Sequence, residues 1–429
     1  MEAQVKIESM AFKGYGVTHL NGKVVFIPYA VTGDEGQVEI IEEKRNYSMG
    51  RLKKILVPSP WRVDPLCLVF GQCGGCQWQH INYSIQGELK KEILKETLKR
   101  LGRLKEIPPI ITVSSLHPYG YRARVQLKVK GKVIGYFQKK SHSVVDIDHC
   151  PISHPLVNQI IRKLREELSL FSRMAGIEIN VSPEEGEGVL LLHPFSFDRR
   201  TENGLREFLQ VHPIFKGCAV KKKGGLTLFH DPHLHFTTSL DRDGEKRNIK
   251  FRTSPGSFYQ VNPEQNRTLS QTVLQFSDVN ENERVLDLYA GVGNFTLPLA
   301  VKAKESIGIE ENRMAFDDAR FNAERNRIRN CDFIQGRVED VLKHWKRESP
   351  DLILLDPPRM GCKMALDQIV KLRPKKIVYI SCEPTTLSRD LRLLSERGYS
   401  LKNLALIDMF PQTYHMEVVA LLTQPQVKV

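Results

Sequence analysis

The stretch ERVLDLYAGVGNFTLPLA, residues 283–300, decides the fold. Its first half, Val285-Leu286-Asp287-Leu288, reads as a short buried strand. Its second half turns through Ala290-Gly291-Val292-Gly293-Asn294 into Phe295-Thr296-Leu297, a glycine loop opening a helix. Downstream the alternation repeats. ESIGIEEN is a strand ending in acids and MAFDDARFNAERN a helix. DLILLDPPR is a buried strand with a proline-rich exit, and KKIVYISCEP is another with a helix behind it. Strands and helices alternating at this spacing predict βαβ units and a mainly parallel sheet, an α/β unit over residues 267–429. LKNLALIDMF and HMEVVALL, joined by PQTYH, predict a closing antiparallel hairpin.

The full 429 residues suit two or three domains. No run reaches the ~18 apolar residues of a membrane helix, and MEAQVKIESM has no apolar signal region, so no membrane partner and a cytoplasmic location are expected. The net charge of +13 favours a polyanionic partner, with simple solubility as the alternative. Eight cysteines in a cytosolic chain argue against a disulfide framework. A monomer is expected.

Residues 1–57 hold five short β-like runs, which suggests a small OB-like barrel. Lys44, Arg45, Arg51, Lys53 and Lys54 lie around Tyr47, a composition suited to single-stranded nucleic acid. Seven acids against eight basic residues over residues 1–57 also fit solvated charge. After the linker VPSPWRVDP comes a central mixed α+β domain, residues 58–266. In it, residues 84–103 form an amphipathic helix with Ile85, Leu89, Ile93, Leu94, Leu98 and Leu101 on one face and lysines and glutamates on the other; it is a candidate to dock on the C-terminal unit. A second helix is expected over 155–175, and KKKGG at 221–225 as a hairpin turn.

The glycine loop lets backbone approach a ligand at the carboxyl end of the sheet. It is not the dinucleotide fingerprint, because Phe295 and Thr296 stand where a third glycine belongs. The second strand ends in Glu310, whose carboxylate can accept hydrogen bonds from two ribose hydroxyls. A nucleoside cofactor without phosphates suits this pair, and LDLYAGVGNFTLPLA resembles motif I of the class I S-adenosylmethionine-dependent methyltransferases. Asp356-Pro357-Pro358-Arg359 exits a later strand where that class places substrate groups. Such an exit is also compatible with methylation of an exocyclic amine.

Cys382 follows the strand IVYI and by itself could be packing, a metal ligand or a nucleophile. An amine substrate needs no enzyme thiol. Carbon 5 of a pyrimidine does: a thiolate adding to carbon 6 makes carbon 5 nucleophilic, and a base must then remove the carbon 5 proton. Glu417 in YHMEVV is a carboxylate for that step, with a solvated surface acid as the bland reading. Arg359, Arg389 and the helix after Pro384 are candidates to depress the thiol pKa.

LDLYAGVGNFTLPLA, LLDPPR, YISCEPTTLSRDL and HMEVVALL, with SFYQVNPEQ at 257–265, resemble in order and spacing the uracil-5 RNA methyltransferase family, and within that resemblance the N-terminal barrel and the early cysteines point to its 23S ribosomal RNA branch. The N-terminal barrel resembles the TRAM domain. The resemblance implies Cys382 as nucleophile, Glu417 as base, and Gln260, Tyr289, Asn294, Glu310 and Asp356 around S-adenosylmethionine, Asp356 also near the uracil. QGRVED, after Phe333, departs from the pattern, so no adenine contact is assigned there.

Cys67, Cys73 and Cys76 come from one loop and Cys150 precedes a proline. Three clustered and one remote cysteine fit a [4Fe–4S] cluster better than the paired spacing usual for zinc, and the resemblance supports the cluster. Cys218, Cys331 and Cys362 are expected to be packing. The resulting expectation is an enzyme forming 5-methyluridine in 23S ribosomal RNA. The alternatives are a transfer-RNA uracil-5 methyltransferase, an exocyclic-amine RNA methyltransferase using the DPPR exit, and a non-enzymatic iron–sulfur RNA-binding protein.

Overall fold

The computed structural model describes residues 2–139, 141–242 and 245–424; residues 425–429 of the expected C-terminal unit lie outside the described residues. The C-terminal unit is built on an eight-stranded sheet. Its order is Cys331–Gln335, Glu305–Glu310, Arg284–Leu288, Leu352–Leu355, Lys376–Ser381, Glu417–Thr423, Ser400–Ile407, Ile110–Val113. The first five strands run parallel. Glu417–Thr423 is antiparallel to both neighbours. Leu352–Leu355 is buried at every residue, as a parallel strand covered on both faces must be.

The eighth strand comes from far upstream. Ile110–Val113 pairs in parallel with Ser400–Ile407 and closes that edge. The helix Tyr83–Arg100 packs on the helix Pro384–Ser395, so this segment also lies on the C-terminal unit. Ile93, Leu94 and Leu98 enter the core as the helical pattern anticipates. Lys90 enters with them and has no solvent exposure at all.

The N-terminal strands form a six-stranded sheet around Ile7, Val25, Ile27, Ala30 and Val38. The strand beyond the five anticipated is the three-residue Ser9–Ala11. The basic row is interleaved with acids of the neighbouring strand: Lys44 reaches Glu42 at 2.7 Å, and Lys53 and Arg51 face Glu39 at 3.7 and 3.9 Å. The central region is a seven-stranded sheet covered by the helices Pro155–Glu166 and Arg199–Val211. The first of these stops earlier than its sequence suggests. Glu167 leaves helical dihedrals, and from Met174 the chain is extended because it pairs with Arg124–Lys130. The hairpin Leu234–Arg242 with Glu245–Thr253 lies against the helix Arg313–Arg325. Among the described residues no helix is long and apolar enough to cross a membrane.

Candidate active site

The parallel strands deliver their carboxyl ends to one edge, the place where open α/β sheets bind ligands. Tyr289, Glu310, Asp356 and Cys382 each follow or end such a strand. The antiparallel strand begins at the same edge. Ser381 pairs with Val418, so Cys382 and Glu417, one step further on each strand, stand side by side.

The glycine loop is held to the adjacent strand by Tyr289 N and Ala290 N, both donating to Ile309 O at 3.1 and 2.9 Å. Tyr289 takes φ +72°, a conformation L residues rarely adopt, and Gly291 and Gly293 take +56° and +86°. Glu310 turns its carboxylate onto this loop: Oε2 accepts from Gly291 N at 2.8 Å and Oε1 from Asn312 N at 2.7 Å. Each oxygen keeps a further acceptor position for a ligand hydroxyl. Asn294 presents a different picture. Its side-chain amide exchanges two 3.0 Å hydrogen bonds with that of Asn266, on the helix Pro263–Ser277. Gln260 is buried and borders a cavity of ≈380 Å³ that Asn266 also borders.

Asp287, inside the glycine-loop strand, accepts Thr296 Oγ1 at 2.5 Å. Burial, together with the charges of Asp356 and Glu310, pushes its carboxyl up to about 8. Asp356 is raised to about 7 by burial. Glu417 is buried, and burial with the Asp356 charge lifts it well above the ordinary carboxylate range while Arg359 pulls it down. A site that concentrates carboxyl groups this way favours a cation as its ligand.

The Cys382 thiol is pushed up to about 12, first by burial and then by the charge of Glu417. Of the groups expected to depress it, Arg359 hydrogen-bonds the thiol and opposes the rise. Arg389 does not serve: its guanidinium goes to Asp390 at 2.8 Å and to Met360 O at 2.9 Å. Of the candidates to depress the thiol, Arg359 alone acts on it, and burial and two carboxylates outweigh that one guanidinium.

Cys67, Cys73, Cys76 and Cys150 border one cavity of ≈390 Å³, together with Arg122. Among the described residues no group of three or more His, Cys, Asp or Glu side chains is arranged to hold a metal ion. The four cysteines thus share a cavity without forming the closed shell expected of a metal site, which for tetrahedral zinc would need sulfurs about 3.8 Å apart, from Zn–S bonds of about 2.3 Å. Burial pushes the thiols of Cys73 and Cys76 up to about 11 and 12.

Sequence reasoning missed Asn266 and Asp287. Asp287 left a signal, an acid inside an otherwise apolar buried strand. Asn266 left none, since its partner is 28 residues away.

Residues 82–425 match the tRNA (uracil-5-)-methyltransferase family and residues 2–53 match the TRAM domain. Over 429 aligned residues the chain is 35% identical to the 23S rRNA (uracil(1939)-C(5))-methyltransferase RlmD of Pectobacterium atrosepticum, covering 97% of this chain and 92% of that protein. RlmD of Histophilus somni is 37% identical over 432 residues, covering 97% and 94%. The crystal structure of the Pyrococcus abyssi tRNA (uracil-54, C5)-methyltransferase in complex with S-adenosyl-L-homocysteine aligns with a TM-score of 0.77 at 25% identity, covering 98% of this chain and 99% of that one. The match spans most of the chain: the chain belongs to the tRNA (uracil-5-)-methyltransferase family of RNA-methylating enzymes, with a TRAM domain over residues 2–53.

Proposed function

We propose that this enzyme methylates carbon 5 of a specific uridine in 23S ribosomal RNA, with Cys382 as nucleophile and Glu417 as base. The observation that carries this reading is the pairing of Ser381 with Val418, which sets a thiol beside a buried carboxyl at the cofactor edge of the sheet. S-adenosylmethionine supplies the methyl group and a positive sulfonium. That cation suits the acids here, since a nearby positive charge favours ionised Asp356 and Glu417. Glu310 is placed to hold the ribose, and Tyr289 and the glycine loop to lie along the nucleoside. A uridine must leave its stack to reach this edge, and the TRAM domain supports RNA flanking it.

Cys382 gives up its proton to water, its sulfur bonds to carbon 6 of the uracil, and the carbon 5–carbon 6 electron pair moves onto carbon 5 and O4 as an enolate. Arg359 favours the ionised thiol at that moment. Carbon 5 then takes the methyl group. Glu417 removes the remaining carbon 5 proton; that electron pair restores the double bond to carbon 6, and the sulfur leaves as thiolate. An exocyclic-amine substrate would leave the Cys382–Glu417 pair without a task.

Cys67, Cys73, Cys76 and Cys150 would hold a [4Fe–4S] cluster. The shared cavity fits it: four thiols facing one space, wider than a single ion requires, with Arg122 to offset thiolate charge. Iron would keep as thiolates two sulfurs that burial alone holds protonated.

The 23S substrate is supported by relatives 35% and 37% identical, against 25% for the transfer-RNA enzyme. Mass mapping of 5-methyluridine in RNA from cells with and without this gene tests it. Loss of the mark from 23S ribosomal RNA alone is expected, and loss from transfer RNA alone overturns the substrate. Cys382→Ala should abolish methylation; retained activity would return the amine reading.

A further inference from the structure

Glu417 opens a strand, and the loop before it is held in an unusual way. Gln412 is a buried, non-glycine residue with φ +66°. Side chains in that region persist only where surroundings over-determine them, and they gather at functional sites. Gln412 O accepts from Gln77 N at 3.2 Å and Trp78 N at 3.0 Å. Its own N donates to Gln86 Oε1 at 3.1 Å, and its side-chain Oε1 accepts from Gln86 Nε2 at 3.1 Å. The residues before it are held from outside the loop as well. Asn262 Nδ2 donates to Met409 O at 3.4 Å, Lys90 Nζ to Phe410 O at 3.2 Å, and Tyr121 OH to Pro411 O at 3.0 Å. Beyond Gln412 the loop fastens onto itself. Thr413 Oγ1 donates to Phe410 O at 2.9 Å and accepts from His415 N at 3.2 Å, two residues short of Glu417. Gln77 and Trp78 directly follow Cys76, so the cysteine-bearing turn is one hydrogen bond from this loop.

We propose that Gln412, locked by Gln86, is a positioning residue that aims Glu417 at the carbon 5 proton. The inference rests on the assignment of Glu417 as base. Gln412 touches no reacting atom. Its left-handed turn sets where the return strand starts, and so where the carboxylate stands relative to Cys382. The step it governs comes after methyl transfer, when the Cys382–carbon 6 bond is in place and carbon 5 carries both methyl and hydrogen. A misaimed carboxylate stalls the enzyme there, with its sulfur still bonded to RNA.

The test uses the full-length protein, methyl-labelled S-adenosylmethionine and undermethylated total RNA from a strain lacking the gene. Gln412→Gly frees the backbone without strain and Gln86→Leu removes the lock from the other side. Gln412→Gly is expected to keep the urea midpoint, while Gln86→Leu, which also leaves Trp78 O and Ile81 O without their side-chain donor, lowers it. Both, assayed well below their midpoints, are expected to lower turnover about tenfold or more and to accumulate a denaturant-resistant protein–RNA adduct carrying the labelled methyl group. Parental turnover in both, or parallel loss of adduct and turnover, overturns the inference. Glu417→Gln is the reference. If it accumulates adduct while the other two do not, the inference alone fails; if Glu417→Gln accumulates none, the base assignment fails and takes the inference with it.

Discussion

The Lys90 ammonium stands 2.6 Å from Asp408 Oδ1, and neither side chain is exposed to solvent. Tyr83 OH donates to the other carboxylate oxygen at 2.9 Å. The pair joins a helix near the start of the chain to the residue just after the strand Ser400–Ile407. Breaking a buried pair by removing one partner leaves an uncompensated charge and costs about 3–5 kcal/mol. Lys90→Met should lower the urea-unfolding free energy by that amount, and adding Asp408→Asn should recover part of it. A loss under about 1 kcal/mol would show that Asp408 is satisfied without the lysine.

Cys382 should react slowly as a free thiol. An ordinary cysteine has a pKa of about 8.5, whereas this one is pushed up to about 12, so its thiolate fraction at pH 8 is far smaller. Carbamidomethylation by iodoacetamide, mapped by mass spectrometry, should run at least about a hundredfold slower than at an exposed cysteine. The rate should climb with pH through pH 10. Arg359 pulls the thiol down, so Arg359→Ala should slow labelling further.

The Asp287 carboxyl is raised from 3.8 to about 8 in the fold, mainly by burial. A folded-state pKa above the unfolded one means that the native state binds the proton more tightly. The stability this contributes is fully present below about pH 4 and lost as pH rises through 8. Asp356 and Glu417 act with the same sign. Urea midpoints should therefore fall from pH 5 to pH 8, and Asp287→Asn should flatten the fall. An unchanged slope would mean that Asp287 is ionised in the native protein.

Gly308 leaves room for the Phe333 ring. A Cβ there would lie 2.6 Å from Phe333 Cδ1 and 2.9 Å from Ala290 Cβ. Gly308→Ala should cost about 1–3 kcal/mol through overpacking. It should also weaken S-adenosylhomocysteine binding in calorimetry, because Ala290 begins the glycine loop. Unchanged affinity would separate this packing from the cofactor site.

What the sequence disclosed follows the range of its signals. Val285 to Leu288 and Leu352 to Leu355 are local apolar runs bounded by a glycine loop and by prolines, so the parallel sheet and its carboxyl edge were readable. The neighbours of Cys382 were readable as residue types but not as a balance: Arg359 was visible, while the burial that outweighs it depends on the whole sheet. Lys90 follows the helical pattern onto a polar face by its chemistry, yet Asp408, 318 positions later, draws it inside. The basic row from Lys44 to Lys54 and the acids of the same segment were both legible, but not which of them pair: Glu39 faces Lys53 only once the strands are side by side. Nothing in a glutamine announces the left-handed backbone of Gln412.

The edge strand Ile110–Val113 imposes an order in time. Its partner Ser400–Ile407 leaves the ribosome almost three hundred residues later. At roughly 5–20 residues per second that delay is about 15–60 s. Throughout it, the nascent chain carries a strand and a buried-type lysine with no partners, while the TRAM domain has all its strands and can already be folded. This sheet should therefore close late, with residues 400–407 completing the edge that residues 110–113 began.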